Sequence, residues 1–153
     1  LSLKSKNYSL REDKFYQEMV QKEKRWTELR QYVKKYRRYD LRFVDISDFL
    51  IVAVDTKVPQ WGTANEVYMA EQEHKPMFFI CEGGLSNLPR WLFDVADLDD
   101  PSKNKRCNVF ESIEQVVEEL VSLDNGTLPL NDEWVLVRKD IENQRSKAVN
   151  DPI

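Results

Sequence analysis

The stretch from Asp48 to Glu66, D-F-L-I-V-A-V-D-T-K-V-P-Q-W-G-T-A-N-E, narrows the possible folds more than any other part of the chain. Its first part, Phe49 to Val54, is an unbroken apolar run rich in Ile and Val, the composition of a buried strand in a parallel sheet. A loop from Asp55 to Trp61 follows, and helical periodicity then runs from about Thr63 to His74. Strand, loop and helix in that order make one β-α step. In open sheets of this kind ligands bind at the carboxyl ends of the strands, where this loop lies. Gly62-Thr63 opens the helix and Glu66 follows on its first turns, so the step aims a carboxylate at the place where chemistry would occur.

The pattern repeats downstream. Lys75-Pro76 halts the helix, because proline disfavours a helical residue before it, and Met77–Cys81 reads as a second buried strand. Glu82-Gly83-Gly84 then reads as a flexible turn on the ligand side of the sheet. A short helix is expected around Pro89–Phe93, a polar surface loop over 97–105, and a short strand at Asn108-Val109-Phe110. Ser112 to Leu123 is an amphipathic helix with Ile113, Val116, Val117, Leu120 and Val121 inward, stopped by Asn125-Gly126. Trp134–Val137 reads as an additional strand before a polar tail.

Upstream, Glu12 to Tyr39 carries Phe15, Met19, Trp26, Leu29, Val33 and Tyr36 at helical spacing, a long amphipathic helix with room for one break. Asp40–Ser47 continues as a short helix packing Leu41, Val44 and Ile46. The alternation predicts an α/β layered fold with a parallel sheet, divided into a main domain over 1–126 and a C-terminal strand and tail over 127–153.

Composition excludes several function classes. With 153 residues the chain supports one domain with a real core. A net charge of −4 argues against nucleic acid as a partner, and the Lys34-Lys35 and Arg37-Arg38 pairs read as a solvated helix face before they read as a phosphate patch. No apolar run is long enough to span a bilayer. Cys81 and Cys107 lack metal-ligand spacing and read as free thiols of a reducing cytoplasm. No metal or cofactor is implied, and the lone His74 reads as structural at a helix C-terminus.

With these residues placed, the pattern resembles the nucleoside 2-deoxyribosyltransferase family and its nucleotide-hydrolysing relatives, including phage-encoded members. The resemblance rests on Asp40, Ser47-Asp48, the strand Phe49–Val54, the helix start Gly62-Thr63-Ala64-Asn65-Glu66, Lys75-Pro76 and its strand, and Asn108-Val109-Phe110 leading into the last helix. It covers roughly residues 40 to 123. Six residues before Glu66 the family's transferases carry Asp and its nucleotide hydrolases Ser, whereas this chain has Gln60. The family's first strand has no counterpart here, and the start at Leu1-Ser2-Leu3, without Met, reads as an N-terminally incomplete domain.

The resemblance implies a flavodoxin-like three-layer fold lacking its N-terminal strand, with a homo-oligomer as the assembly and a nucleoside or nucleotide as the small-molecule ligand. It implies transfer or hydrolysis of a deoxyribosyl group with Glu66 as nucleophile and Asp40 orienting the sugar or protonating the leaving base. Asp55, Gln60, Trp61, Gly62 and Thr63 become the substrate-binding set. The residue types suit that chemistry. Retention at C1′ needs a carboxylate within reach, a helix start favours its ionised form, and glycine lets backbone approach a sugar. A non-catalytic nucleotide-binding or sensing module on the same fold is the alternative expectation.

Overall fold

The structure is a computed structural model describing residues 14–57 and 60–139. Two compact units divide the chain, Leu1–Asp40 and Leu41–Ile153. In the first, a π-helical segment, Glu18–Glu23, ends at Lys24, whose φ of 49° breaks the helix. Phe15, Tyr16, Tyr32 and Tyr36 form an aromatic cluster, with the Tyr32 and Tyr36 hydroxyls 2.7 Å apart. Helix α1 (Trp26–Ile46) is continuous, so no boundary separates a helix ending at Tyr39 from a second one beginning at Asp40. Trp26 stays 56% exposed despite its place in the apolar periodicity.

The second unit holds the sheet. β1 (Leu50–Val54) is followed by α2 (Trp61–Gln72), β2 (Met77–Cys81), three short 3-10 turns, β3 (Val109–Phe110) and α3 (Ile113–Asp124). Both strand pairs are parallel, and β2 lies between β1 and β3. The expected α/β architecture with a parallel sheet is therefore present, and β1 lies at an edge. Leu50 donates its N–H to the Pro76 carbonyl at 2.9 Å. In a parallel ladder this turns the backbone groups of residues 50, 52 and 54 toward β2 and those of 51 and 53 toward the outer edge.

One face of the sheet carries the core. Val52, Met77, Phe79 and Cys81 pack with Val67 and Ala70 of α2, with Leu88, Leu92 and Val95 of the connecting turns, and with Val44 from the end of α1. The other face is covered unevenly. Phe78 is buried and stacks edge-on with Phe49 and Trp134, yet Phe49 and Ile51 remain about two-fifths exposed. β1 is thus buried on one face only, which corrects the expectation of a fully buried strand. Ile46 is exposed as well.

Two further expectations are corrected. On α3 only Val116 is fully buried, while Ile113, Val117 and Val121 are exposed. α3 packs on β2 and β3, and among the described residues no further strand lies beyond β3 to cover its remaining apolar positions. The Trp134–Val137 strand does not form: residues 135–139 are helical. Asn131 accepts the Glu133 N–H at 2.9 Å, and Asn-Asp-Glu ahead of Trp134 is a helix-start signal that outweighs the β-branched run. The polar tail from 140 onward lies outside the described residues.

Candidate active site

α2 leaves the carboxyl end of β1 after a short loop, as the β-α reading requires. Its N-cap is Gln60, whose side chain makes no cap hydrogen bond. The Gln60 carboxamide instead reaches back along β1, where Nε2 donates to the Ala53 carbonyl at 3.0 Å and Oε1 accepts the Asp55 N–H at 3.2 Å. Those two groups lie on the outer edge of β1, two residues apart. A neighbouring parallel strand engages such a pair with the N–H and C=O of one residue. Gln60 therefore stands in for one residue of an adjacent strand.

Asp55 is exposed, and its Oδ1 accepts the Lys57 N–H at 2.8 Å in a local turn. Trp61, the first residue of α2, is 81% exposed. Asp55, Gln60 and Trp61 line one cavity of about 410 Å³, joined there by Lys57, Ala64 and the Pro89–Trp91 turn. Three of the five residues of the expected substrate-binding set thus line one cavity. The lining residues that the sequence reading passed over are Thr56, Lys57, Ala64, Pro89 and Trp91. A tryptophan on a short turn after the second strand's glycine loop is a signal that could have suggested the last of them.

Gly62 and Thr63 sit in the first turn of α2. A Cβ built on Gly62 meets no heavy atom within 4 Å, so protein packing does not demand glycine there. Glu66 lies on the second turn, half-buried. At 100° per residue it is roughly 150° around the helix from the Trp61–Ala64 side, and it is not among the residues lining the cavity. Asp40 is an exposed residue of α1 and the last residue of the first unit, whereas Glu66 belongs to the second.

The neighbouring glycine loop is structural. Gly83 has a φ of +82°, and a Cβ there would come within 2.4 Å of the Asn87 amide nitrogen, which itself donates to the Glu82 carbonyl at 2.9 Å. Burial pushes the Cys81 thiol above its ordinary range, with the Glu82 charge adding to the effect. A thiol held protonated in the core is a poor nucleophile. Among the described residues no group of three or more His, Cys, Asp or Glu side chains is arranged to hold a metal ion, and no helix is long and apolar enough to cross a membrane. Comparison of the chain with known protein families, curated proteins and solved structures returns no match.

Proposed function

We propose that the protein breaks the N-glycosidic bond of a 2′-deoxynucleoside or its monophosphate through a covalent ester on Glu66. The observation that carries this reading is the position of Glu66: half-buried, on the second turn of the helix leaving the carboxyl end of a parallel strand, in the G-T-x-x-E register. A carboxylate that served only to solvate a helix surface would stand in water. In the proposed step a Glu66 oxygen bonds to C1′ as the C1′–N bond breaks, and the base departs with that electron pair and takes up a proton. Water or the nitrogen of a second base then attacks C1′ and releases the carboxylate, so the configuration is retained overall. The missing 2′-hydroxyl eases the step because the developing sugar cation is less destabilised. The flavodoxin-like three-layer arrangement, a cytoplasmic setting and a homo-oligomer belong to the same proposal.

The test is incubation of the protein with deoxynucleosides and deoxynucleotides, with and without a second free base. Free or exchanged base is expected, and Glu66→Gln should remove it by at least about a thousandfold, the scale of losing a covalent nucleophile. Thermal melting of the Glu66→Gln protein checks that the fold survives. A Glu66→Gln protein as active as the parent would falsify the assignment.

Gln60 favours a second reading. With its carboxamide bound to the backbone of β1, it does not offer a sugar the acid or hydroxyl of the family pattern. A nucleotide-binding or sensing module would then bind its ligand without releasing base, in the same incubation.

A further inference from the structure

Arg30, Lys34, Lys35, Arg37 and Arg38 lie in α1, and residues 30–38 contain no acidic side chain, in a chain of net charge −4. All five are exposed, and none has an ion pair among the described residues. The cations on either side of this stretch are treated differently: Arg25 is held by Glu23 and Glu28, and Arg42 by Asp45. Arg30 with Lys34, and Lys34 with Arg38, are like-charge pairs four residues apart, an arrangement that weakens a helix by itself. Successive residues turn by about 100°, which gives this stretch two opposite sides. Leu29, Tyr32 and Tyr36 share one side and are half-buried there or stacked, with Phe15 and Tyr16 against Tyr32. Thr27, Gln31, Lys34 and Arg38 form a line on the other, with Arg30 and Arg37 along one flank and Lys35 along the opposite one. Thr27 and Gln31 are exposed as well, so within residues 27–38 this side is wholly polar and uncovered.

We propose that this side of α1 is a docking surface for duplex DNA, seated in the major groove with Arg30, Arg37 and Lys35 on the phosphates and Gln31, Lys34 and Arg38 toward the base edges. The major groove is about 12 Å wide and admits an α-helix about 10–12 Å across. Cations on both flanks meet its phosphate walls, and hydrogen-bonding side chains between them meet its floor. An anionic membrane fits less well, because a helix enters that interface by its apolar side, and the apolar side of α1 here already faces Phe15 and Tyr16. A single strand fits less well too, since the cationic line and its flanks offer no aromatic ring for bases to stack on. The negative charge of the whole chain does not decide the matter, because exposed charges more than about 8 Å apart are largely screened at physiological salt. The expectation of a merely solvated helix face is thereby revised. The surface belongs to the first unit, and the inference holds whether or not Glu66 turns substrate over.

Fluorescence anisotropy of a short labelled DNA duplex, titrated with the full chain between about 50 and 200 mM salt, tests the proposal. Micromolar affinity is expected at the low end, with log affinity falling against log salt at a slope of about −3, near one unit for each phosphate contact. The double variant Arg30→Ala/Arg37→Ala should lower affinity at least about tenfold and flatten the slope by about two units. Alanine is the better helix former, so α1 survives that change, and thermal melting checks it. Lys103→Ala removes an exposed cation of the second unit and should leave affinity and slope as they were. An RNA duplex, whose deep, narrow major groove shuts out a helix, should bind at least about tenfold more weakly. The same is expected of single-stranded DNA and of phosphatidylcholine vesicles containing phosphatidylserine. Equal binding to any of these three, no binding to the DNA duplex at low salt, or a double variant that binds as the parent does overturns the proposal.

Discussion

Lys75 places its ammonium 2.6 Å from the carbonyl oxygens of both Val44 and Asp45 and 2.8 Å from the Glu73 carboxylate, with its side chain only 8% exposed. Val44 and Asp45 end α1, whose last turn contains no basic residue. The orphan carbonyls and the negative end of that helix are thus satisfied by a lysine from the far side of the α2–β2 turn. The sequence showed Lys75 only as the residue before a proline. Its partner lies thirty residues upstream, and no local pattern announces such a pairing. Lys75→Met keeps the aliphatic stem and removes the charge, so the Asp45 carbonyl and Glu73 lose the ammonium while the Val44 carbonyl keeps only the Ser47 N–H. Loss of charged hydrogen bonds in a part-buried site costs about 1.5–3 kcal/mol. Urea denaturation should show a lower midpoint by that measure with an unchanged slope. A shift under about 0.5 kcal/mol would mean that water replaces the ammonium at those carbonyls and that the cap is dispensable.

Elements were legible in the sequence where composition and period agreed. Leu50–Val54 and Met77–Cys81 are short, β-branched or aromatic and bounded by breakers, and both formed as parallel strands. The helix beginning near Gly62 and the one capped by Ser112, which accepts the Gln115 N–H, also fell within two residues of expectation. What the pattern could not supply was the width of the sheet. Val117 and Val121 have the period of a buried face, yet burial depends on strands being present beneath them. The Trp134–Val137 run failed for a different reason, since its capping residues lie outside the window that made it look like a strand. At the candidate site, Asp55, Gln60 and Trp61 line one cavity because one loop carries them. Trp91 was missed because it reaches the cavity from a separate turn, Arg90–Asp94, that follows the next strand. The edge cap gives a test at this scale. Gln60→Ala frees Ala53 and Asp55 on the outer edge of β1, two exposed-side hydrogen bonds worth about 1 kcal/mol together. It also uncovers an apolar edge prone to pairing with other chains. Loss of stability of that size with greater self-association on light scattering is expected, and Gln60→Glu, which accepts but does not donate at neutral pH, should fall between. An Ala variant as stable and as dispersed as the parent would show that the carboxamide does not guard the edge.

At the scale of the whole second unit, the stretch 131–139 is tied back by groups drawn from distant parts of the sequence. Val135 donates its N–H to the His74 carbonyl at 2.8 Å, the Trp134 indole meets Phe78, and Lys105 bridges Glu133 at 2.8 Å and Asp97 at 3.2 Å. The ion pairs make this attachment depend on pH. The Lys105 ammonium, hydrogen-bonded to Glu133, holds that carboxyl below its ordinary range, and Glu133, with Asp97, holds Lys105 above its own. For Glu133 the stabilisation is complete above its unfolded pKa of about 4.3 and disappears as pH falls through the lower folded value. For Lys105 it is complete below about 10.4 and disappears as pH rises through the higher folded value. The attachment is therefore strongest between those limits, and solvent screening of the half-exposed Glu133 keeps the effect local. Acidification to about pH 3 should weaken protection of the Val135 amide from hydrogen exchange, after correction for intrinsic rates, before the Phe79 amide in the central strand is affected. Lys105→Met should show the weaker protection already at pH 7 and little further change on acidification. Simultaneous loss of protection at Val135 and Phe79 would show instead that the unit opens as a single body, with the Lys105 bridges contributing only to its global stability.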